Sequence, residues 1–270
     1  MALLAGCEPP MQCNGHTDLC DRRVDEVALG MTHNAMSNAE EGWGAPNQNF
    51  GIERQLSDGV RGFMLDTHYM QDETALCHSI CELGSEPLDR GLAKYTRFLD
   101  EHPHEVIVFV FQSAISAEDT QAAFIAADLL RYTYAHEVGN EWPTLRELIE
   151  ADTRVIATNQ DRSDGYPWYN HAYSLAWDND YSAQTVDDFG CDVLRGDASN
   201  DLFLLNHFIT NPVAMPGLAE AANPDAVLWE HVDRCMNETG DFVNWVSVDF
   251  YDIGDLFTVV DRLNGVETGE

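Results

Sequence analysis

Two short motifs place histidine where it could move protons. Thr32-His33-Asn34 follows an apolar run, residues 27–30, that reads as a first strand. Leu76-Cys77-His78-Ser79 follows a second strand-like segment, residues 59–66, after a short turn at residues 71–74. Imidazole titrates near neutral pH, so one histidine can take a proton while another gives one. Set on opposite sides of a phosphorus, such a pair supplies a general base and a general acid. The chain holds ten histidines, and most must be surface or packing residues. For His33 and His78 to work together, a fold must bring residues 45 positions apart into one cavity.

The hydrophobic pattern shows elements that would do this. Residues 88–102 carry apolar side chains at Leu88, Leu92, Tyr95 and Leu99, which is helical spacing. Residues 106–111 form a continuous β-branched and aromatic run, the mark of a strand buried on both faces. Further strands are expected at 155–158, 202–208 and 242–249. Further helices are expected at 52–57, 118–131, 145–151, 226–237 and 255–263. Residues 38–51, rich in Asn and Gly, read as a loop. The alternation implies an α/β fold with a parallel sheet. At 270 residues a (β/α) barrel is the leading architecture, with active residues at the C-terminal ends of its strands. Six strands are clear; residues 160–200, rich in Asp, Asn, Tyr and Gly, give no pattern. Residues 1–25 are set apart as an N-terminal segment, and residues 26–270 form one domain.

Composition narrows the partners. Fourteen basic against 47 acidic residues give a formal charge of −33. That surface repels phosphate backbones, so no nucleic-acid partner is expected. An anionic substrate would need a local positive spot or a bound cation. The sequence lacks G-x-S-x-G, G-x-x-x-x-G-K-[ST], H-E-x-x-H and C-x-x-C. Asp178-x-Asp180-x-Ser182 opens like a calcium loop, but Ala183 and Phe189 stand where Gly and Glu are required.

Leu4-Ala5-Gly6-Cys7 matches a bacterial lipobox, in which Cys7 would carry lipid. Six cysteines remain, which allow 15 pairings. Cys13/Cys20 and Cys77/Cys81 are close enough for local loops, with Cys191/Cys235 the remainder. Even parity fits an oxidising compartment, so a secreted or cell-surface monomer is expected.

Several segments together resemble a known family: Cys13-Asn14-Gly15-His16 with Leu19-Cys20-Asp21-Arg22, Thr32-His33-Asn34-Ala35, the run from Gly59 to His68, and Leu76-Cys77-His78-Ser79 with Cys81. Residues 98–110, Trp142-Pro143-Thr144-Leu145 and Val246-Ser247-Val248-Asp249-Phe250-Tyr251 continue the series in order. The set is similar to the secreted branch of the phosphatidylinositol-specific phospholipase C X-domain family. The resemblance implies a distorted TIM-type barrel and a phosphodiesterase that cleaves phosphatidylinositol-type or related glycerophospholipids. It implies His33 as base and His78 as acid. Asp249, closing the last strand, would hold the tautomer of His33, with Tyr251 and Asp252 as nearby substitutes.

The family meets the phosphate with either Arg or Ca²⁺, and the deciding position is Asp66 here. The resemblance therefore implies Ca²⁺, held by Asn34 and Asp66. Two further carboxylates of the calcium type are replaced by Met64 and Gln112, which calls for weak binding. His68, on the same strand face as Asp66, and Gln112 are candidate substrate contacts. Arg61 should face away, and Lys94 and Arg97 fall on an outer helix. Contact with a phospholipid surface, or a lipid anchor at Cys7, would bring the substrate. The competing readings are a phosphodiesterase for sphingolipids or other glycerophosphodiesters, and a non-catalytic barrel that binds lipid headgroups or sugars.

Overall fold

The computed structural model describes residues 10–161 and 165–267. Its strands are β1 (Leu29–Thr32), β2 (Gly62–Met70), β3 (Glu73–Leu76), β4 (Glu86–Pro87), β5 (Ile107–Ser113), β6 (Val155–Asn159), β7 (Tyr169–His171), β8 (Ala176–Asn179), β9 (Val193–Arg195), β10 (Leu202–Asn206) and β11 (Trp245–Val248). The helices are α1 (Ile52–Ser57), α2 (Leu88–Glu101), α3 (Ala117–Ala126), α4 (Leu145–Glu150), α5 (Pro216–Ala222), α6 (Asp225–Thr239) and α7 (Leu256–Asn264). Eight strands run parallel in the order β7-β6-β5-β2-β1-β11-β10-β8. β9 adds antiparallel to β8, and β3 and β4 extend β2 as an antiparallel ribbon. The sheet curls into a barrel that stays open, because no ladder joins β7 to β8 among the described residues.

Both faces of the sheet are apolar, for a reason visible in β5. Ile107, Phe109 and Phe111 point outward and join Leu92, Tyr95 and Phe124 of the helices. Val108 and Val110 alternate inward and meet Met31, Met64, Ile156 and Leu204. A strand buried on both sides reads as an unbroken hydrophobic run. Gly62 has no room for a side chain, since a Cβ there would lie 2.8 Å from the Cβ of Met31.

The inner core also contains Cys13, Leu19, Val24, Trp142 and Leu145. Residues 13–24 and α4 thus plug the barrel at the N-terminal ends of the strands. The opposite end is left for polar groups.

The helices expected at 52–57, 88–102, 145–151, 226–237 and 255–263 are present within a residue or two. α3 stops at Ala126 rather than running to residue 131, because Asp128 takes a left-handed backbone (φ 56°) and the chain turns. Residues 160–200 hold β7, β8 and β9, which are only three or four residues long and carry Asn, Asp or Arg among their apolar side chains. α5 escapes the pattern as well; its Pro216 stands at the first helical position, where the missing N–H costs nothing.

Three disulfides join Cys13–Cys20, Cys77–Cys81 and Cys191–Cys235. Cys7 and the lipobox lie outside the described residues. Cys191–Cys235 ties the segment before β9 to α6 across 44 positions. The chain-entropy model gives such a loop about 4 kcal/mol. The double variant Cys191→Ser/Cys235→Ser should therefore unfold at a clearly lower temperature. Calorimetry that finds an unchanged midpoint would contradict a stabilising role for this bridge.

Candidate active site

The site forms at the C-terminal ends of β1, β2, β5 and β11. Thr32 and Val248 are paired in the parallel ladder of β1 and β11. The next residue on each strand is His33 and Asp249, so the register itself delivers them side by side. The Nδ1 of His33 donates to Oδ1 of Asp249 at 2.9 Å. The amide of Asn47 donates to the same oxygen at 2.9 Å. The backbone N–H of His33 continues the ladder to Val248 O at 3.0 Å. The ring of Phe208 lies flat on the imidazole, with centroids 3.8 Å apart and planes at 7°. The imidazole is therefore fixed in position and tautomer, with Nε2 left as the acceptor.

After His33 the chain turns through a left-handed residue, Asn34 (φ 47°). Its side-chain amide donates to Nε2 of His33 at 3.1 Å and to Nε2 of His78 at 3.3 Å. The two imidazoles thus face each other across one amide group. Burial lowers the pKa of His78 below its ordinary value, and the neighbouring His33 adds to this. Asp249 opposes the shift and His68 reinforces it.

Asp66, on β2, is buried, and its carboxylate has no hydrogen-bond partner among the described residues. Burial pushes its carboxyl up to about 6, with His33 pulling the other way. His33, Asn34, Asp66, His78 and Gln112 line one cavity of about 360 Å³. A second, of about 150 Å³, shares His33 and Gln112 and is completed by Met64, Gln160, Tyr181, Arg195, Asn206 and Phe208.

Five of the residues singled out by sequence therefore share the larger cavity, and Asp249 stands behind His33. His68 does not join them. The ladder of β2 with β5 ends at Thr67, and from there β2 pairs with β3 as a ribbon that carries His68 out of the cavity. Tyr251 and Asp252 bond instead to Asp58 and Asn49. Arg61 pairs with Glu105, Lys94 with Glu41 and Glu86, and Arg97 with Glu53, all away from both cavities.

Four contributors carry no motif. Asn47 and Gln48 come from the loop after β1, where the amide of Gln48 donates to His33 O at 2.8 Å. Phe208 follows β10. Arg195 comes from β9, where it bonds Asp178 through Nε and Nη2 and Gln160 through Nη1 at 3.1 Å. Its guanidinium lies 4.7 Å from the ring of Tyr173 and 4.6 Å from that of Tyr181. A count of cationic residues in 160–200 could have flagged Arg195; nothing local marks Asn47 or Phe208.

As a cation site the donor set is sparse but of the right chemistry. Asp66 is a carboxylate without a protein partner, beside the amides of Asn34 and Gln112. Met64 accepts instead from Ser247 Oγ at 3.1 Å.

The fold and this histidine–carboxylate arrangement define a phospholipase C-like barrel. The family model PI-PLC X 1 matches residues 19–264, and the chain belongs to the PI-PLC X-domain family. It is 25% identical to an "uncharacterized secreted protein" of Arthroderma benhamiae, over 94% of this chain and 64% of the relative. It is 28% identical to a PI-PLC X domain-containing protein of Arabidopsis thaliana, over 87% of this chain and 61% of the relative. The chain thus spans somewhat over three-fifths of each of these proteins. A structure of the phosphatidylinositol-specific phospholipase C of Staphylococcus aureus, from work on its membrane binding, superposes with a TM-score of 0.58. It is 14% identical, covering 92% of this chain and 95% of that one.

A carboxylate whose folded pKa is raised penalises the fold above that pKa, and the penalty fades as pH falls toward the unfolded value of 3.8. In chelator-treated buffer, Asp66→Asn should therefore be more stable than the parent at pH 8, by up to roughly 3 kcal/mol. The gain should shrink toward pH 4. Denaturant melts showing no gain at pH 8 would contradict the placement of an unpartnered carboxylate there.

Proposed function

We propose that the protein is a phosphodiesterase that cleaves phosphatidylinositol-type glycerophospholipids by two-histidine acid–base catalysis. The observation that carries this reading is the convergence of two Nε2 atoms on one amide, with a carboxylate behind only one of them. His33, backed by Asp249, is the base: its Nε2 takes the proton from a headgroup hydroxyl. That oxygen attacks the phosphorus, and proximity within one headgroup favours the displacement. His78 protonates the oxygen of the departing diacylglycerol. A cyclic phosphodiester results. Asp249 stabilises the imidazolium formed on His33, while the stacked Phe208 keeps the ring in place.

The phosphate lies in the larger cavity and the headgroup extends toward the smaller one. Arg195 is committed to Asp178, so that end presents hydrogen-bonding groups rather than net charge. Asp66 and Asn34 would hold Ca²⁺, which supplies positive charge to the phosphate. The apolar side chains at the mouth fit a lipid surface. Ile80, Leu83 and Val213 line the cavity rim at 56%, 48% and 44% exposure, and Met215, two positions after Val213, is 49% exposed. The disulfides and the secreted relative accord with an exported protein. A lipid at Cys7 would hold it at a membrane. The single carboxylate among the described residues of the cavity favours a second reading, a barrel that binds lipid headgroups or sugars without turnover; turnover in the assays that follow separates the two.

His33→Ala and His78→Ala should each slow cleavage of phosphatidylinositol by at least ~10² while leaving the fold intact. Unchanged turnover in either variant would remove that residue from the mechanism. The acid must be protonated, and burial has lowered its pKa. The value of kcat/KM should therefore fall as pH rises through a point below 6.5, the ordinary histidine value. A plateau extending to pH 8 would show that His78 is not the acid. Chelator should abolish activity and Ca²⁺ restore it, at a concentration on the order of 10⁻⁴–10⁻³ M. Full activity in excess chelator would remove the metal from the account.

A further inference from the structure

The two histidines are held in very different ways. His33 has a carboxylate, an amide, a ladder hydrogen bond and a stacked ring. His78 has one side-chain hydrogen bond, from Asn34 at 3.3 Å, and no carboxylate or ring partner among the described residues. Its backbone is no better anchored. The ladder of β2 and β3 ends at Leu76, and Cys77 N donates to Asp66 O at 3.2 Å. Beyond that, the N–H groups of His78 and Ser79 make no hydrogen bond among the described residues, and His78 O accepts only from Ile80 N at 2.6 Å, inside the same loop. Ser79 adopts a left-handed backbone (φ 58°), and Ser79 and Ile80 are exposed. A general acid displaced by about 1 Å can lose some 10²-fold in rate, so something must define this loop.

The Cys77–Cys81 disulfide closes around it. Its two half-cystines bracket His78, Ser79 and Ile80. Cys77 is fully buried at the end of β3, and so fixes one end of the loop to the sheet. The other end is fixed beyond Cys81. Gly44 N donates to Leu83 O at 2.6 Å, and Gly84 packs so tightly on Trp43 that a Cβ there would lie 2.3 Å from the indole. The bridge is the short covalent link between these two anchors.

We propose that the Cys77–Cys81 disulfide is the positioning element of His78, holding through the backbone the place of a ring that no carboxylate or stacked ring holds. This rests on the reading of His78 as the general acid. A positioning role differs from a merely structural one in which reactions it affects. An alkoxide leaving group needs the acid's proton; a nitrophenolate does not. Losing the bridge should therefore harm only the first.

The test compares the parent with Cys77→Ala/Cys81→Ala, using a glycerolipid-type and a nitrophenyl phosphodiester of the same headgroup. The variant should lose roughly 10- to 100-fold in kcat on the first, with KM little changed, and stay close to the parent on the second. Equal losses on both substrates, or no loss on either, would overturn the proposal. Should the double variant fail to fold, mild reduction of the parent provides the same comparison. Cys81 is half-buried, whereas Cys13, Cys20, Cys191 and Cys235 are buried, so this bridge should open first. Reoxidation should restore the rate. Reduction to two thiols at Cys77 and Cys81 with no change in rate would equally overturn it. A parent inactive on both substrates would count against the phosphodiesterase reading alone. The position of His78 is then read by NMR: a contact between its ring and the Asn34 amide should be present with the bridge and absent without it. A contact that persists in the reduced protein would overturn the proposal independently of turnover.

Discussion

The hydrogen bond between His33 and Asp249 exists only because the first strand of the barrel pairs with the last. The two residues are 216 positions apart, and each is the first residue past a paired position of β1 or β11. No local segment can make that contact. A one-residue slip of either strand would turn one side chain to the opposite face. The His33–Asp249 pair is therefore created by completion of the sheet. The plug of apolar residues at the strands' N-terminal ends, and the helices packed on Phe109 and Phe111, serve the site by holding that register.

Electrostatics sets the second constraint. The chain carries −33, and among the described residues the cation lining the site, Arg195, is spent locally. Arg195 lies against the fully buried Asp178, which also accepts from Asn206 at 3.2 Å and Tyr173 at 3.3 Å. Arg61 and Lys94 serve Glu105, Glu41 and Glu86 on the outside. Among the described residues, the polar lining of the larger cavity is amides, imidazoles, two hydroxyls and one carboxylate, with no Arg or Lys. A phosphodiester entering there meets hydrogen-bond donors but no Arg or Lys among the described residues. We therefore propose that an ion on Asp66 and Asn34 supplies the missing charge.

Much of this was legible in sequence because the signals were local. A strand end followed by His-Asn, a second His between two cysteines, and a closing Val-x-Val-Asp each put a chemical group at a predictable point on a barrel. The continuous run at Ile107–Phe111 declared a doubly buried strand for the same local reason. The failures were non-local. His68 shares the alternation of Asp66, but β2 changes partners at Thr67, and only the three-dimensional pairing reveals this. β7, β8 and β9 are too short for a periodic signal, so Arg195 could not be placed. Asn47 and Phe208 matter through contacts across the barrel mouth, which no spacing encodes.

The central claim is that His33 Nε2 takes a proton from a headgroup hydroxyl, which then attacks its own phosphorus. Phosphorus NMR of phosphatidylinositol vesicles mixed with the protein and Ca²⁺ reads this most directly. The account predicts that the lipid phosphodiester signal gives way to that of a five-membered cyclic phosphodiester as the first product. A lipid signal that persists unchanged, or a monoester that appears with no cyclic precursor, would contradict it.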